Sequence, residues 1–534
     1  MANQILSNLF HTSFFMTIPQ SASSRATWLL LFAALVIRLI VSGQFLLVPD
    51  ETNYWQWSRY LALGYHDHPP MIAWTIRLAT SLFGQHEWAV RLPTVIGLSV
   101  ASVYLCLLAA RWFSWRVVFQ TALLSQLLLL TNGSALIATP DGLLLPCWAA
   151  ACYHAAQALD RKAPSQWLYT GIWFGLGLLS KYTMILFLPS LFLAMLVNPD
   201  YRRQLRSPWP WLGLLLGSLL FTPVLVWNSQ NEWATFRHVL YQGGAGDEVL
   251  FTLNYIGDFF GSQLMLLTPV AFILILAAWC RPRLRQRLPA GSASFLLWMS
   301  LPGFLIFALL AFHVRIYGNW PAPVYLTALI LIAALFSDRT DGNHRLSGLW
   351  TATILTAAII TLPVIVQVVT PILPVPLELD RTATECIGWD VLGQQVGTAI
   401  NTMERPDQTF IFGLRYQYAS ELAYYIPGQP RTVSINRWTR PNVYDFWFED
   451  RMLLGKDGIG VFEGRESALA VSTLFTRSDP VEEVQLQRDS PWFGRQVVQT
   501  LYLFRGYGFK GGLRWQPTTK DDIRATHKQT APDR

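Results

Sequence analysis

Long apolar runs separated by short polar connections fill the first 370 residues of the chain. The runs lie at 27–48, 89–110, 115–131, 135–159, 166–179, 181–197, 209–227, 262–280, 293–312, 319–336 and 347–370. A spanning helix needs about 20 apolar residues, so the pattern predicts a polytopic α-helical membrane protein with about 11–13 transmembrane helices. The count is least constrained around 166–197, where Ser180-Lys181 interrupts an otherwise continuous stretch. Segments 51–62 and 71–83 are too short and too mixed to span. Their Trp55, Trp57 and Trp74, set among charges, predict helices lying in the membrane interface.

Beyond Pro371-Ile-Leu-Pro-Val-Pro376 the apolar runs shorten to strand length, at Thr409–Leu414, Gly458–Phe462 and Val497–Phe504. Helix-like stretches near Ala419–Tyr425 and Glu466–Phe475 lie between them. Strands alternating with helices predict a small α/β domain over 376–515. The expected organisation is a cytoplasmic segment at 1–24, a multispanning domain at 25–371, the α/β domain, and a disordered polar tail at 516–534.

Composition agrees with the pattern: 52% of the 534 residues are hydrophobic and only 14% are charged. An ordinary soluble domain has roughly 25% charged residues. The net charge of +7 is spread over helix ends and forms no single patch, so it sets orientation and does not indicate nucleic acid. Basic residues gather at Arg111/Arg116, Arg161/Lys162, Arg202/Arg203/Arg206, Arg281/Arg283/Arg285/Arg287 and Arg339/Arg345. Those connections are expected to be cytoplasmic. The loop at 50–88, the turn at 132–141, Lys181, the loops at 228–261 and 313–321, and everything after 371 then face the outside. Five cysteines without metal or disulfide spacing imply neither a zinc finger nor a disulfide framework. The first apolar run is long enough to span, unlike the core of a cleavable signal peptide.

Candidate chemistry collects on the outer side. Asp50 and Glu51 stand where the first run stops, and a carboxylate at the edge of hydrocarbon is costly unless it is solvated or functional. Both are also good first-turn residues, so helix capping remains open for them. His66, Asp67 and His68 sit on a short loop closed by Pro69-Pro70, a set of potential metal or phosphate ligands. Lys181 interrupts apolar sequence on the side that disfavours lysine; it either binds an anion or snorkels to the interface. Arg315 is a second such cation, His238 is a lone histidine in a long outer loop, and Asp141 follows Thr139-Pro140 as a cap or an acid. Together these residues suit a reaction on a lipid-linked phosphate. Cations would hold the phosphate, a metal or histidine would offset charge on the leaving group, and a carboxylate would take the nucleophile's proton.

Asp-Glu after the first helix, Tyr65-x-x-x-Pro-Pro, Thr139-Pro-Asp, Ser180-Lys-Tyr and Asn319-Trp-Pro-Ala-Pro resemble, in order, the motifs of GT-C membrane glycosyltransferases. More narrowly, they resemble the family 39 protein mannosyltransferases and the bacterial aminoarabinose transferases of lipid A. The resemblance covers roughly residues 25–375. Gly388-Trp-Asp, Arg415-Tyr416 and Arg440-Pro-Asn-Val-Tyr-Asp-Phe-Trp447 are similar to tail elements of bacterial members. The resemblance implies a GT-C fold and an inverting transfer from a polyprenyl-phosphate sugar to a lipid, glycan or protein acceptor at the outer face of the bacterial inner membrane. It implies Asp50 as the base, with Glu51 beside it. Lys181, His68, Arg315 and Tyr54 become candidate ligands of the donor phosphate. Asp67, His238 and His66 become candidate ligands of a divalent metal ion (zinc, magnesium or manganese), and Asp141, Tyr317 and Asn319 line the site. Asn53 stands where aminoarabinose transferases carry a basic residue. A lipid or sugar transporter, using the same polar residues for passage, is the alternative. The absence of a visible inverted repeat and the concentration of acids at one face count against it.

Overall fold

In the computed structural model, residues 21–161, 163–244, 251–337, 344–438 and 440–514 are described. Most of the expected 1–24 segment and all of the 516–534 tail lie outside them. Every apolar run becomes helix, but not every run becomes one straight helix. Among the described residues, four helices are long and apolar enough to cross a membrane: Ala22–Val41 (α1), Glu87–Ala110, Gly291–Leu310 and Gly348–Val369. Four further pairs are bent by 43–111°, so the count of candidate spans reaches 8 only if each bent pair is one span. Ile256–Leu267 and Pro269–Cys280 meet at 107° because Pro269 cannot continue the first helix. Thr268 adopts φ 73 at the break and caps the second helix through its hydroxyl. The 319–336 run is a 15-residue helix, Ala322–Phe336, buried along its whole length inside the bundle. Helices Gln166–Ser180 and Pro208–Leu220 approach closely through Gly171 and Gly213, where a Cβ on Gly171 would lie 2.0 Å from the Gly213 carbonyl oxygen.

The C-terminal part forms a six-stranded mixed sheet, order β2-β1-β3-β6-β4 with β5 also on β6. The strands are Thr409–Gly413 (β1), Thr432–Ser434 (β2), Asp457–Phe462 (β3), Phe475–Ser478 (β4), Glu482–Ser490 (β5) and Gly494–Phe509 (β6). β1 runs parallel to β2 and β3, while β6 is antiparallel to its three neighbours. Side-chain alternation gives the sheet two cores. Phe410, Phe412, Phe475 and Phe504 pack on one face; Ile411, Ile459, Val461 and Leu503 meet Trp389, Leu392 and Leu422 on the other. Strands β2, β4 and β5 lack the apolar run that marks the others, being short or mostly polar, and so they escaped the sequence pattern.

The two short helices of the 50–88 loop part company. Pro49–Arg59 (α2) is buried at every residue from Glu51 to Ser58, packed between the bundle and the sheet domain. Trp55 and Trp57 are therefore inside protein, which corrects the expectation that α2 lies in the interface. Met71–Phe83 (α3) keeps an exposed apolar edge at Leu78, Leu82 and Phe83, as an interfacial helix would.

Candidate active site

Helix α2 begins with Pro49 at its first position, and Glu51 accepts the Val48 N–H at 3.0 Å, closing its N-terminus. The same carboxylate accepts the Ala138 N–H at 2.8 Å and both arms of Arg91, at 2.8 and 2.6 Å. Arg91 in turn donates to the carbonyls of Ser42, Phe45 and Leu46. Glu51 and Arg91 are both 0% exposed. Glu51, expected beside the base, has its lone pairs taken and fastens the loop to the bundle. Arg91 was missed, although an arginine just inside the start of an apolar run carries the same signal that singled out Lys181.

Asp50 precedes Glu51 and points about 100° away around the helix. Its carboxylate faces open space and accepts the Tyr416 hydroxyl at 3.3 Å. Surrounding protein raises its pKa, Glu385 adds to the rise, and Tyr416 and Arg440 pull it back. Asp50 thus retains surface while sitting in a cleft walled by protein. Tyr54, one turn on and on the same face, packs edge-on against Trp57 at 5.0 Å and lies 6.0 Å from the His68 ring.

The proline-closed loop is held by Tyr65, which stacks on Trp57 at 4.4 Å and binds backbone at 57, 60 and 62. Thr235, on helix Ala234–Gln242 (α4), donates to the Tyr65 carbonyl at 2.9 Å and so brings His238 beside the loop. The turn entering α4 holds two non-glycine residues, Glu232 and Trp233, in the left-handed region at φ 53 and 60. Such a conformation persists where the surroundings enforce it.

Asp67 Oδ1 lies 3.3 Å from His66 Nδ1, 3.1 Å from His238 Nε2 and 3.5 Å from Arg440 Nη1. Ligand atoms of His66, Asp67 and His238 all lie within 4.8 Å of one another. Burial pushes the Asp67 carboxyl up, but His66, His238 and Arg440 outweigh it and hold it well below the usual range. His238 is shifted down by burial, and its buried Nε2 makes no properly directed hydrogen bond despite its proximity to Asp67. A neutral imidazole with an unspent nitrogen beside an ionised carboxylate fits a divalent cation. His68 is pushed down to about 4 by burial and by Lys181, so it is neutral near pH 7. It can offer phosphate a hydrogen bond but no charge.

Lys181 ends helix Gln166–Ser180, and its extended backbone turns the side chain inward. Its ammonium donates to both oxygens of Asp141, at 2.8 and 2.7 Å, and Asn319 donates to the same carboxylate at 2.8 Å. Lys181 and Asp141 are 6% and 3% exposed, so this lysine does not snorkel. Arg315, expected among the phosphate ligands, is part-exposed, faces Asp258 at 3.8 Å and lies 6.0 Å from the Tyr317 ring. Tyr317 stands close enough to Arg440 to influence its charge.

Two site residues come from the sheet domain. Tyr416 opens helix Tyr416–Tyr425 (α5), and Arg440 lies with its guanidinium 5.6 Å from the Tyr416 ring. The helix is tied to α2 through Thr52–Ser420 at 3.1 Å, while Leu47 N–H donates to Tyr425 Oη at 2.7 Å. Gln56 reaches Thr432 and Tyr444. Both residues sat in tail motifs whose chemistry the sequence did not reveal.

Against known proteins, residues 67–227 match the family described as dolichyl-phosphate-mannose-protein mannosyltransferase. The chain is 29% identical over 300 residues to the lipid A galacturonosyltransferase RgtD of Rhizobium johnstonii, covering 56% of this chain and 62% of RgtD. It is 25% identical over 333 residues to an undecaprenyl phosphate-alpha-4-amino-4-deoxy-L-arabinose arabinosyl transferase of Pseudomonas savastanoi pv. phaseolicola, covering 58% and 60% of the two. The matches thus span about three-fifths of those relatives. The crystal structure of ArnT from Cupriavidus metallidurans bound to undecaprenyl phosphate superposes with a TM-score of 0.63 at 16% identity, over 91% of this chain and 98% of ArnT. The chain has the GT-C fold of ArnT, and in sequence it resembles the membrane glycosyltransferases of the dolichyl-phosphate-mannose-protein mannosyltransferase type.

Proposed function

We propose that the protein transfers a sugar from a polyprenyl-phosphate donor to an acceptor hydroxyl on the outer face of a bacterial inner membrane. The observation that carries this reading is the meeting, in one cleft, of a proton acceptor with no ion-pair partner at hydrogen-bonding distance among the described residues (Asp50), a buried lysine (Lys181) and a His66–Asp67–His238 cluster. The alternation of basic connections supports the outward orientation of that cleft. The relatives' names support the substrate class: one carries lipid A, another an undecaprenyl phosphate-linked sugar, and the solved ArnT holds undecaprenyl phosphate. Those names span two kinds of sugar, a uronic acid and an amino sugar.

In this reading Asp50 takes the proton of the acceptor hydroxyl as the new C–O bond forms. Tyr416 orients the Asp50 carboxylate. Lys181 exchanges part of its contact with Asp141 for the donor phosphate, while Asn319 keeps Asp141 in place. Tyr54 and neutral His68 line the path between phosphate and base. A divalent ion held by His66, Asp67 and His238 would offset negative charge on the departing phosphate. Metal analysis of chelator-free protein, repeated on His238→Ala, tests that ligand set; undiminished metal in the variant would sink it.

The function itself is tested with full-length protein in lipid vesicles, given lipid A and a panel of polyprenyl-phosphate sugars. Release of polyprenyl phosphate with a matching mass gain on lipid A is expected. If the lipid-linked sugar crosses the bilayer unchanged and no transfer occurs, the protein is a transporter.

A further inference from the structure

At the far end of α2 from Asp50, a second polar cavity lies between α2, α3 and the Gly428–Gln429 turn of the sheet domain. Its volume is about 250 Å³, against roughly 10–15 Å³ for a site that holds one water. Arg59, at the end of α2, and Arg77, on α3, both line it, and no acid does. Among the described residues neither arginine is ion-paired. Arg59 donates only to neutral acceptors, the Gln429 carbonyl at 2.9 Å and the Pro430 carbonyl and Gln56 side chain at 3.3 Å. Its guanidinium lies 4.8 Å from the Trp55 ring. The Trp55 indole can only donate, and it gives its hydrogen to Gln85 Oε1 at 2.6 Å, which leaves the Gln85 NH2 group for the cavity. Two cations and an amide donor around a polar space without a counter-charge form a site for an anion.

The outer surface of α3 says where that anion comes from. Leu78, Leu82 and Phe83 make its exposed apolar edge, and exposed Arg77 stands next to Leu78. A cation beside a membrane-facing apolar edge sits at headgroup depth, where the abundant anion is lipid phosphate. Arg59 and Arg77 also fall on the side that the orientation rule leaves poor in basic residues, the signal that singled out Lys181. Guanidinium groups match phosphate with paired hydrogen bonds. The catalytic cleft is elsewhere. Arg59 is about 13 Å along the helix axis from Asp50, and Lys181 is held by Asp141.

We propose that this cavity binds the phosphate of a glycerophospholipid of the surrounding membrane, at a site separate from the donor cleft. The acyl chains lie along the exposed edge of α3. The phosphate bridges α2, α3 and the sheet-domain turn, and so fixes the sheet domain against the membrane surface. None of this depends on the transfer reaction.

Full-length protein in neutral detergent is titrated with dihexanoyl phosphatidate, with its phosphate-free twin dihexanoylglycerol, and with inorganic phosphate, and binding is read by calorimetry. Phosphatidate should bind about tenfold to a hundredfold more tightly than the twin, the range of one charge-assisted contact, and more tightly than inorganic phosphate. Arg59→Gln and Arg77→Gln should each remove most of that preference, and Arg77→Lys should recover part of it. Arg59 also holds the sheet-domain turn, so Arg77→Gln is the deciding variant. Lys181→Ala should leave phosphatidate affinity unchanged. Equal affinity in wild-type protein and Arg77→Gln overturns the assignment. Inorganic phosphate binding as tightly as phosphatidate also overturns it, because the cavity would then serve a free anion. Loss of phosphatidate binding in Lys181→Ala does the same, because the lipid would then occupy the donor cleft.

Discussion

The two sides of helix α2 carry neighbouring carboxylates with opposite fates. On the bundle side Glu51 is sealed from solvent, its lone pairs filled by Arg91 and two backbone N–H groups. On the cleft side Asp50 has one phenolic partner at 3.3 Å and open space before it. Both are acids in the first turn of the same helix, so chemical type does not separate them. Saturation does. A carboxylate whose partners are all protein holds structure, while one left under-satisfied at a cleft is available to substrate.

The contrast breaks most sharply at Asp50. Asp50→Asn keeps size and polarity but removes the proton acceptor. Turnover should fall by about 10²–10⁴-fold while donor binding persists, with the two measured separately by kinetics and by polyprenyl-phosphate binding. Normal turnover in this variant would remove Asp50 from the mechanism.

Glu51→Gln should do the reverse. It leaves Arg91 buried without its counter-charge, at a cost of about 3–5 kcal/mol in stability. The expected signature is a lowered Tm in detergent and poor yield, with residual activity in whatever protein remains folded. A dead variant with an unchanged Tm would mean that Glu51 takes part in the chemistry.

Lys181 sharpens the comparison from the bundle side, since its pair with Asp141 is buried and yet is proposed to serve a ligand. Lys181→Ala should weaken donor affinity roughly tenfold to a hundredfold, the loss of one charge-assisted bond. Lys181→Ala combined with Asp141→Ala should recover stability without recovering affinity. Recovery of both would make the pair purely structural.

The smallest effect concerns pH. The folded protein raises the Asp50 pKa, so the acid limb of the kcat/KM profile should lie above the value of about 3.9 for an unperturbed aspartate. A raised carboxyl pKa means that the folded state binds the proton more tightly than the unfolded chain. Asp50 therefore favours folding at low pH, and the benefit is lost as pH rises through its folded pKa. At neutral pH, Asp50→Asn should leave Tm unchanged or slightly higher. A clear drop in Tm would show that the ionised form is satisfied in the fold.

Much of this protein follows from local pattern. The apolar runs specified helices because burial of twenty-residue stretches in hydrocarbon requires backbone satisfied within the segment. Strands β1, β3 and β6 followed from their apolar runs in the tail. Acids at the mouth of the first run, and a lysine between two others, stood out because charge at membrane depth is costly. Tertiary structure decided the rest. Arg91 chose Glu51 across 40 residues, and the Tyr416 hydroxyl reached Asp50 across 366. Pro269, with Thr268 at the break, turned one apolar run through 107°, a bend that the apolar pattern by itself does not carry. Helical period tells which residues share a face, but it cannot say what that face will meet. Asp50 and Glu51 differ only in what stands opposite them, and that is set by packing between segments far apart in the chain.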